Sequence, residues 1–174
     1  MAKKQVFYSF HYKNDVRRVA QIRNIGELED NKPVFENDWE EVKKSGDLAI
    51  RQWIDSQMSN RSCVVVLIGE ETSKRKWVMY EIKRALTEGK GLLGIYIHNI
   101  KDPLLVKEGG SGKSKKGANP FESVVVKQYG LCSRLSSIIQ CYDPKPDDAY
   151  NDIRNHLEGW IEKAVKDSKK YDVV

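Results

Sequence analysis

The chain has 174 residues, 40% of them hydrophobic and 32% charged, with a formal net charge of +5 and a pI near 9.0. That length fits one domain, taken as residues 1–174 with a core over about 4–165, and is enough to bury a sizeable apolar interior. The mild basic excess permits an anionic partner without demanding nucleic acid, and no apolar run approaches the roughly 18–20 residues that span a bilayer.

Strand-like sequence begins by Gln5 and leaves no room for a signal peptide, so a cytoplasmic protein without membrane association is expected. Three cysteines, Cys63, Cys132 and Cys141, are an odd number without C-x-x-C spacing or a nearby histidine pair. They imply reduced, buried thiols and no metal site.

In chain order, Gln5–Phe10 is rich in β-branched and aromatic residues and predicts the first strand, ending at Ser9-Phe10-His11. Asn14 or Asp15 suits the cap of a helix whose apolar stripe is Val16, Val19, Ala20 and the stem of Arg23. Asn31-Lys32-Pro33 predicts a loop and Val34-Phe35-Glu36 a short strand. The following Asn37-Asp38-Trp39-Glu40-Glu41 is unusually aromatic and acidic for a connector. Ser45 caps a helix that buries Ile50, Trp53, Ile54 and Met58.

Cys63–Ile68 is a continuous apolar run, as a strand covered on both faces requires. After Gly69 the basic segment Lys74-Arg75-Lys76 leads into a helix from about Trp77 to Glu88, which buries Val78, Ile82, Ala85 and Leu86. Leu92–Ile97 is the next buried strand. Residues 101–120 turn to Lys, Gly, Ser and Asn and predict a long loop. Gly112-Lys113-Ser114 within it is not a phosphate loop, because Lys107 stands where that motif needs glycine and no apolar strand leads in. Phe121–Tyr129 suggests a short helix and Ser137–Tyr142 a last strand. A helix beginning near Asp147 buries Tyr150, Ile153, Leu157, Ile161, Ala164 and Val165, and the charged tail from Lys166 frays.

This order predicts an α/β fold: a mostly parallel sheet of about five strands with helices on both faces, in the flavodoxin-like order 2-1-3-4-5. Ligands of such sheets bind beyond the carboxyl ends of the strands, which brings Ser9, Phe10 and His11 close to the segment after Gly69. No Ser-His-Asp or Cys-His set is present. Glu81 has two readings. It is either a surface charge paired with Lys76, Lys83 or Arg84, or a lone carboxylate beside basic and aromatic groups. The second suits a dinucleotide whose glycosidic bond breaks through an oxocarbenium-like state.

Lys4–Tyr12, Val66–Gly69 followed by Trp77-Val78-Met79-Tyr80-Glu81-Ile82, Asp38-Trp39-Glu40 with Ser45–Ala49, and Gly94–Ile97 with Asn119-Pro120-Phe121 together resemble the TIR-like proteins of the bacterial Thoeris anti-phage system. The resemblance covers most of residues 4–160. It implies a flavodoxin-like TIR fold and cleavage of NAD, with Glu81 as the catalytic residue. Ser9, Phe10, His11, Asp38, Trp39, Lys74, Arg75, Lys76 and Trp77 are the implied substrate contacts, with NAD as substrate and no further cofactor. Family members of this type turn NAD into a cyclic ADP-ribose-type signal after a phage-derived trigger. The diffusible product activates a separate effector protein, and the enzymes often act as homo-oligomers. Other TIR domains are non-catalytic association modules, and nucleoside deoxyribosyltransferases share the fold type and a glutamate, so the fold alone does not choose.

Overall fold

The computed structural model describes residues 5–25 and 42–174. In chain order, β1 (Val6–Ser9) leads into α1 (Tyr12–Arg23); α2 (Asp47–Met58), β2 (Cys63–Ile68), α3 (Lys76–Glu88), β3 (Gly91–Tyr96) and the short α4 (Pro103–Lys107) follow. Then come β4 (Val125–Gln128), β5 (Leu131–Arg134), β6 (Cys141–Tyr142), α5 (Ala149–Lys166) and β7 (Asp172–Val173).

Among the described residues the main sheet has four parallel strands in the order β1-β2-β3-β6. The expected strand at Val34–Glu36, which would flank β1 in a five-stranded flavodoxin-like sheet, lies outside the described residues, as do Asp38 and Trp39. Every residue of β2 is buried because both faces are covered. On one face α1 and α5 pack over Val6, Tyr8, Val65, Leu67, Leu93 and Ile95. On the other, α2 and α3 pack over Phe7, Val64, Val66, Ile68 and Leu92. The alternation along each strand follows from the period of two in a pleated backbone. The result is a flavodoxin-like α/β sandwich of the kind TIR folds adopt.

Several elements depart from the sequence reading. α1 is capped at His11 and not at Asn14 or Asp15, and its buried residues are Asp15, Arg18, Val19 and Ile22. The stripe is therefore rotated from the expected Val16–Ala20 line, because two charged side chains neutralise each other inside the fold. α2 starts after Gly46, whose positive φ of 89° suits glycine, instead of after Ser45. Tyr150 stays exposed at the start of α5, and Ala149 takes the buried place.

The segment after the predicted loop differs most. Pro120–Ser123 is a single 310 turn, and β4 and β5 form a hairpin where a helix was expected. Val124-Val125-Val126 supplies the β-branched run, and Tyr129-Gly130 makes the two-residue turn with both φ values positive, 52° and 82°. Ser137–Tyr142 contributes only Cys141 and Tyr142 to the main sheet, since Leu135–Ser137 is another 310 turn. The tail does not fray: β7 pairs antiparallel with β4, Val126 opposite Val173, and Tyr171 N–H donates to the Leu86 carbonyl.

Candidate active site

The sheet places Ser9 at the last paired position of β1, opposite Val66 of β2. Ser9 lies on the same face as Phe7, two residues back, and that face looks toward α3. Glu81 lies on the buried side of α3 with Val78, Ile82, Ala85 and Leu86. Only 8% of Glu81 and 1% of Ser9 remain exposed. The Ser9 hydroxyl donates a hydrogen bond to Glu81 Oε2.

Glu81 is thus not the helix surface charge of the alternative reading. Lys76 pairs with Asp47, and Arg84 pairs with Glu88 and Asp55. Burial pushes the Glu81 carboxyl up to about 8 from its ordinary 4.5, against a smaller opposing pull from the Ser9 hydrogen bond. That displacement favours the protonated carboxyl at neutral pH. Such a displaced acid at the carboxyl end of a parallel sheet has the character of a functional group.

The other sequence-predicted residues spread around this pair. Phe10 is half-buried and its ring lies 6.0 Å from that of Tyr12. His11 caps the backbone start of α1, and its buried Nδ1 has no hydrogen-bond partner. Burial first, then the positive charges of Arg75 and Lys13, lower its pKa, while Glu71 opposes them. His11, Glu71 and Arg75 are therefore close enough to feel one another.

Within the basic run, Lys74 is held by Glu71 at 3.0 Å. Lys76 is held by Asp47 and lies 4.8 Å over the Trp77 ring. Arg75 is exposed and has no ion pair among the described residues. Trp77 is half-buried and edge-on to Tyr80 at 5.9 Å. Among the described residues no group of three or more His, Cys, Asp or Glu is arranged to hold a metal ion. Likewise, no helix there is long and apolar enough to cross a membrane.

α1 also carries a network that the sequence reading missed. Arg18 donates from Nε to the Ile100 carbonyl and from Nη2 to the Gly112 carbonyl, both at 2.9 Å, and sits 3.4 Å from Asp15 Oδ1. Arg17 pairs with Asp102, which also caps α4 through Leu104 N–H. These contacts fasten the 100–117 segment to α1. A Cβ on Gly69 would lie 2.1 Å from Asp15 Oδ2, and one on Gly117 would lie 2.0 Å from the Gly69 carbonyl oxygen. Both glycines are therefore demanded by close approach at the carboxyl end of β2, immediately before the turn that starts α3. The sequence signal was present, since Asp15, Arg18 and Ile22 share a helical spacing, but charge on a stripe reads first as solvent-facing.

The family model for "Thoeris protein ThsB, TIR-like domain" matches residues 7–102, which include most of β1, the 69–75 turn and all of α3. One curated relative, named "Putative cyclic ADP-D-ribose synthase ThsB1", from Bacillus cereus (strain MSX-D12), is 39% identical over 124 residues. That match covers 68% of this chain and 62% of the relative, less than two thirds of the relative's length. With the parallel sheet, the buried acid on α3 and both matches in agreement, this chain belongs to the TIR-like family of Thoeris ThsB proteins.

Proposed function

We propose that this chain cleaves NAD, releases nicotinamide and converts the remainder into a cyclic ADP-ribose-type signalling nucleotide. The product diffuses to a separate effector protein and activates it in anti-phage defence, in the cytoplasm and after a phage-derived trigger. NAD is the substrate, and no metal or further cofactor takes part. The observation that carries this reading is Glu81, a carboxyl buried at the carboxyl ends of β1 and β2 with one hydroxyl partner. The printed name of the B. cereus relative agrees with it.

The chemistry follows from the charges. The nicotinamide ring of NAD is cationic and leaves as a neutral molecule, taking the electrons of its bond to the ribose carbon. The enzyme therefore needs no strong acid at the leaving group. It needs a negative charge beside the ribose where oxocarbenium character develops. The cationic nicotinamide ring draws Glu81 toward its ionised form on binding, because an opposite charge within a few ångströms offsets the burial that keeps it protonated. Glu81 then accepts hydrogen bonds from the ribose hydroxyls and stabilises the cationic carbon. The adenosine part of the same molecule captures that carbon when water is excluded.

Phe10, His11 and Trp77 line the approach, and the resemblance adds Asp38 and Trp39 as further substrate contacts. In the basic run Arg75 is the cation for the pyrophosphate, since Lys74 and Lys76 are occupied by Glu71 and Asp47. The test is nicotinamide release from NAD by the triggered protein. Glu81→Gln should abolish release while the variant folds normally, and unchanged turnover would refute the assignment. A pure association module would release none in either form and would lose its phenotype only on surface changes.

A further inference from the structure

We infer that Ser9 is a positioning residue which acts on the reaction only through Glu81 and does not touch the substrate. This rests on the NAD-cleaving reading above and deepens it. The resemblance implied that Ser9 contacts the nucleotide alongside Phe10 and His11; the geometry separates it from them.

Ser9 interrupts the apolar run Val6-Phe7-Tyr8 at a place where β1 is fully buried. A hydroxyl in that position is costly unless it is hydrogen-bonded. It has a partner, Glu81 Oε2, and among the described residues it is the only hydrogen-bonding group Glu81 has. With 1% of its surface exposed, Ser9 offers a substrate no approach, whereas Glu81 keeps 8% of its surface open. Phe10 and His11, the next two residues, are half-buried and reachable. The pleat divides the three, sending Ser9 inward to α3 while Phe10 joins the opposite face, packed against the α1–α5 side.

The hydroxyl has two consequences. It pins one carboxylate oxygen and so fixes the side-chain rotamer, leaving Oε1 for the ribose hydroxyls. It also favours the ionised carboxylate, because a donated hydrogen bond is worth more to the charged acceptor than to the neutral one. Its pull opposes the desolvation that raises Glu81. Ser9 thus keeps Glu81 close enough to neutrality to be ionised when substrate arrives.

The experiment compares Ser9→Ala and Ser9→Thr with the parent and with Glu81→Gln. One readout is the pH dependence of nicotinamide release by the triggered protein. The other is the 13C NMR titration of the Glu81 carboxyl in the untriggered, ligand-free chain, which needs no activity. Ser9→Ala should move the Glu81 titration and the rising limb of kcat upward by about one pH unit. Along that rising limb the rate falls about tenfold, with little change in KM. Ser9→Thr, which keeps a hydroxyl, should restore both.

An unmoved titration in Ser9→Ala would overturn the inference, as would a raised KM with the limb unchanged, the mark of a direct substrate contact. Full activity in Glu81→Gln would instead refute the parent reading. If Glu81→Gln is inactive while Ser9→Ala leaves the titration in place, only the role of Ser9 falls. The NMR titration decides the point even if a Ser9 variant is slow to respond to the trigger.

Discussion

The displaced Glu81 acid makes folding stability depend on pH in a direction opposite to that of most carboxylates. In the folded chain the group titrates near 8, against an ordinary value of 4.5. Between those values the folded state holds a proton that the unfolded state has lost. Stability is therefore greatest below the unfolded value and falls as pH rises toward 8, by at most about 1.4 kcal/mol per unit. From pH 6 to pH 8 the loss integrates to about 2 kcal/mol, once half-ionisation at the upper end is included. Glu81→Gln keeps the shape and a hydrogen-bond acceptor for Ser9 but cannot ionise.

The two proteins are to be melted side by side by differential scanning calorimetry at pH 6, 7 and 8. The melting temperature of the variant, relative to the parent, should rise by about 4–8 °C across that range for a chain of this size. His11 and His98, whose pKa values are lowered mainly by burial, contribute stability that grows as pH rises. Asp15, raised to about 6 chiefly by burial, contributes a loss that is mostly complete near pH 6. These groups are common to both proteins and cancel in the difference. Parallel melting curves from pH 6 to 8 would show that Glu81 is not a buried neutral acid, and the electrostatic argument would fail.

Three further outcomes follow from the same geometry. Arg18→Met removes the donors to the Ile100 and Gly112 carbonyls and strands the buried Asp15 carboxylate. It should cost about 3–5 kcal/mol in urea unfolding, partly recovered by Asp15→Asn, and parent-like stability would contradict the network. Arg75→Ala should raise KM for NAD about tenfold, an effect that fades with salt, whereas Lys74→Ala and Lys76→Ala should change it far less because acids already hold those side chains. Among the thiols, the exposed Cys132 should react with a disulfide reagent first. The buried Cys63 and the half-buried Cys141, pushed up to about 12 by burial, should lag far behind.

What the sequence revealed and what it hid divide along physical lines. β2 and β3 were legible because a strand covered on both faces must be apolar throughout. The stripes of α2 and α3 were legible because a helix with one buried side repeats its apolar residues at i, i+3 and i+4. β7 was missed because its pairing with β4 joins residues 126 and 173, and no local pattern reports so distant a partner. The β4–β5 hairpin is local, but β5 is exposed throughout and carries no apolar alternation to mark it as a strand.

Asp15 and Arg18 were missed for a related reason, since each is tolerable inside only because the other is there. Residue chemistry raised Glu81 as a candidate but favoured a surface charge over a catalyst. Its burial and its bond to Ser9, 72 positions away, depend on the parallel pairing of β1 with β2. Asp38 and Trp39 fall outside the described residues, so their place in the crevice rests on the resemblance.

The most direct measurement is mass spectrometry of nucleotides extracted from phage-infected cells that express either the parent chain or Glu81→Gln. With the parent, NAD should fall and a cyclic ADP-ribose-type nucleotide with its free nicotinamide should accumulate. With Glu81→Gln present at the same level, neither should occur. A new nucleotide formed equally by both, or by neither while protection from phage persists in both, would contradict the assignment of catalysis to Glu81.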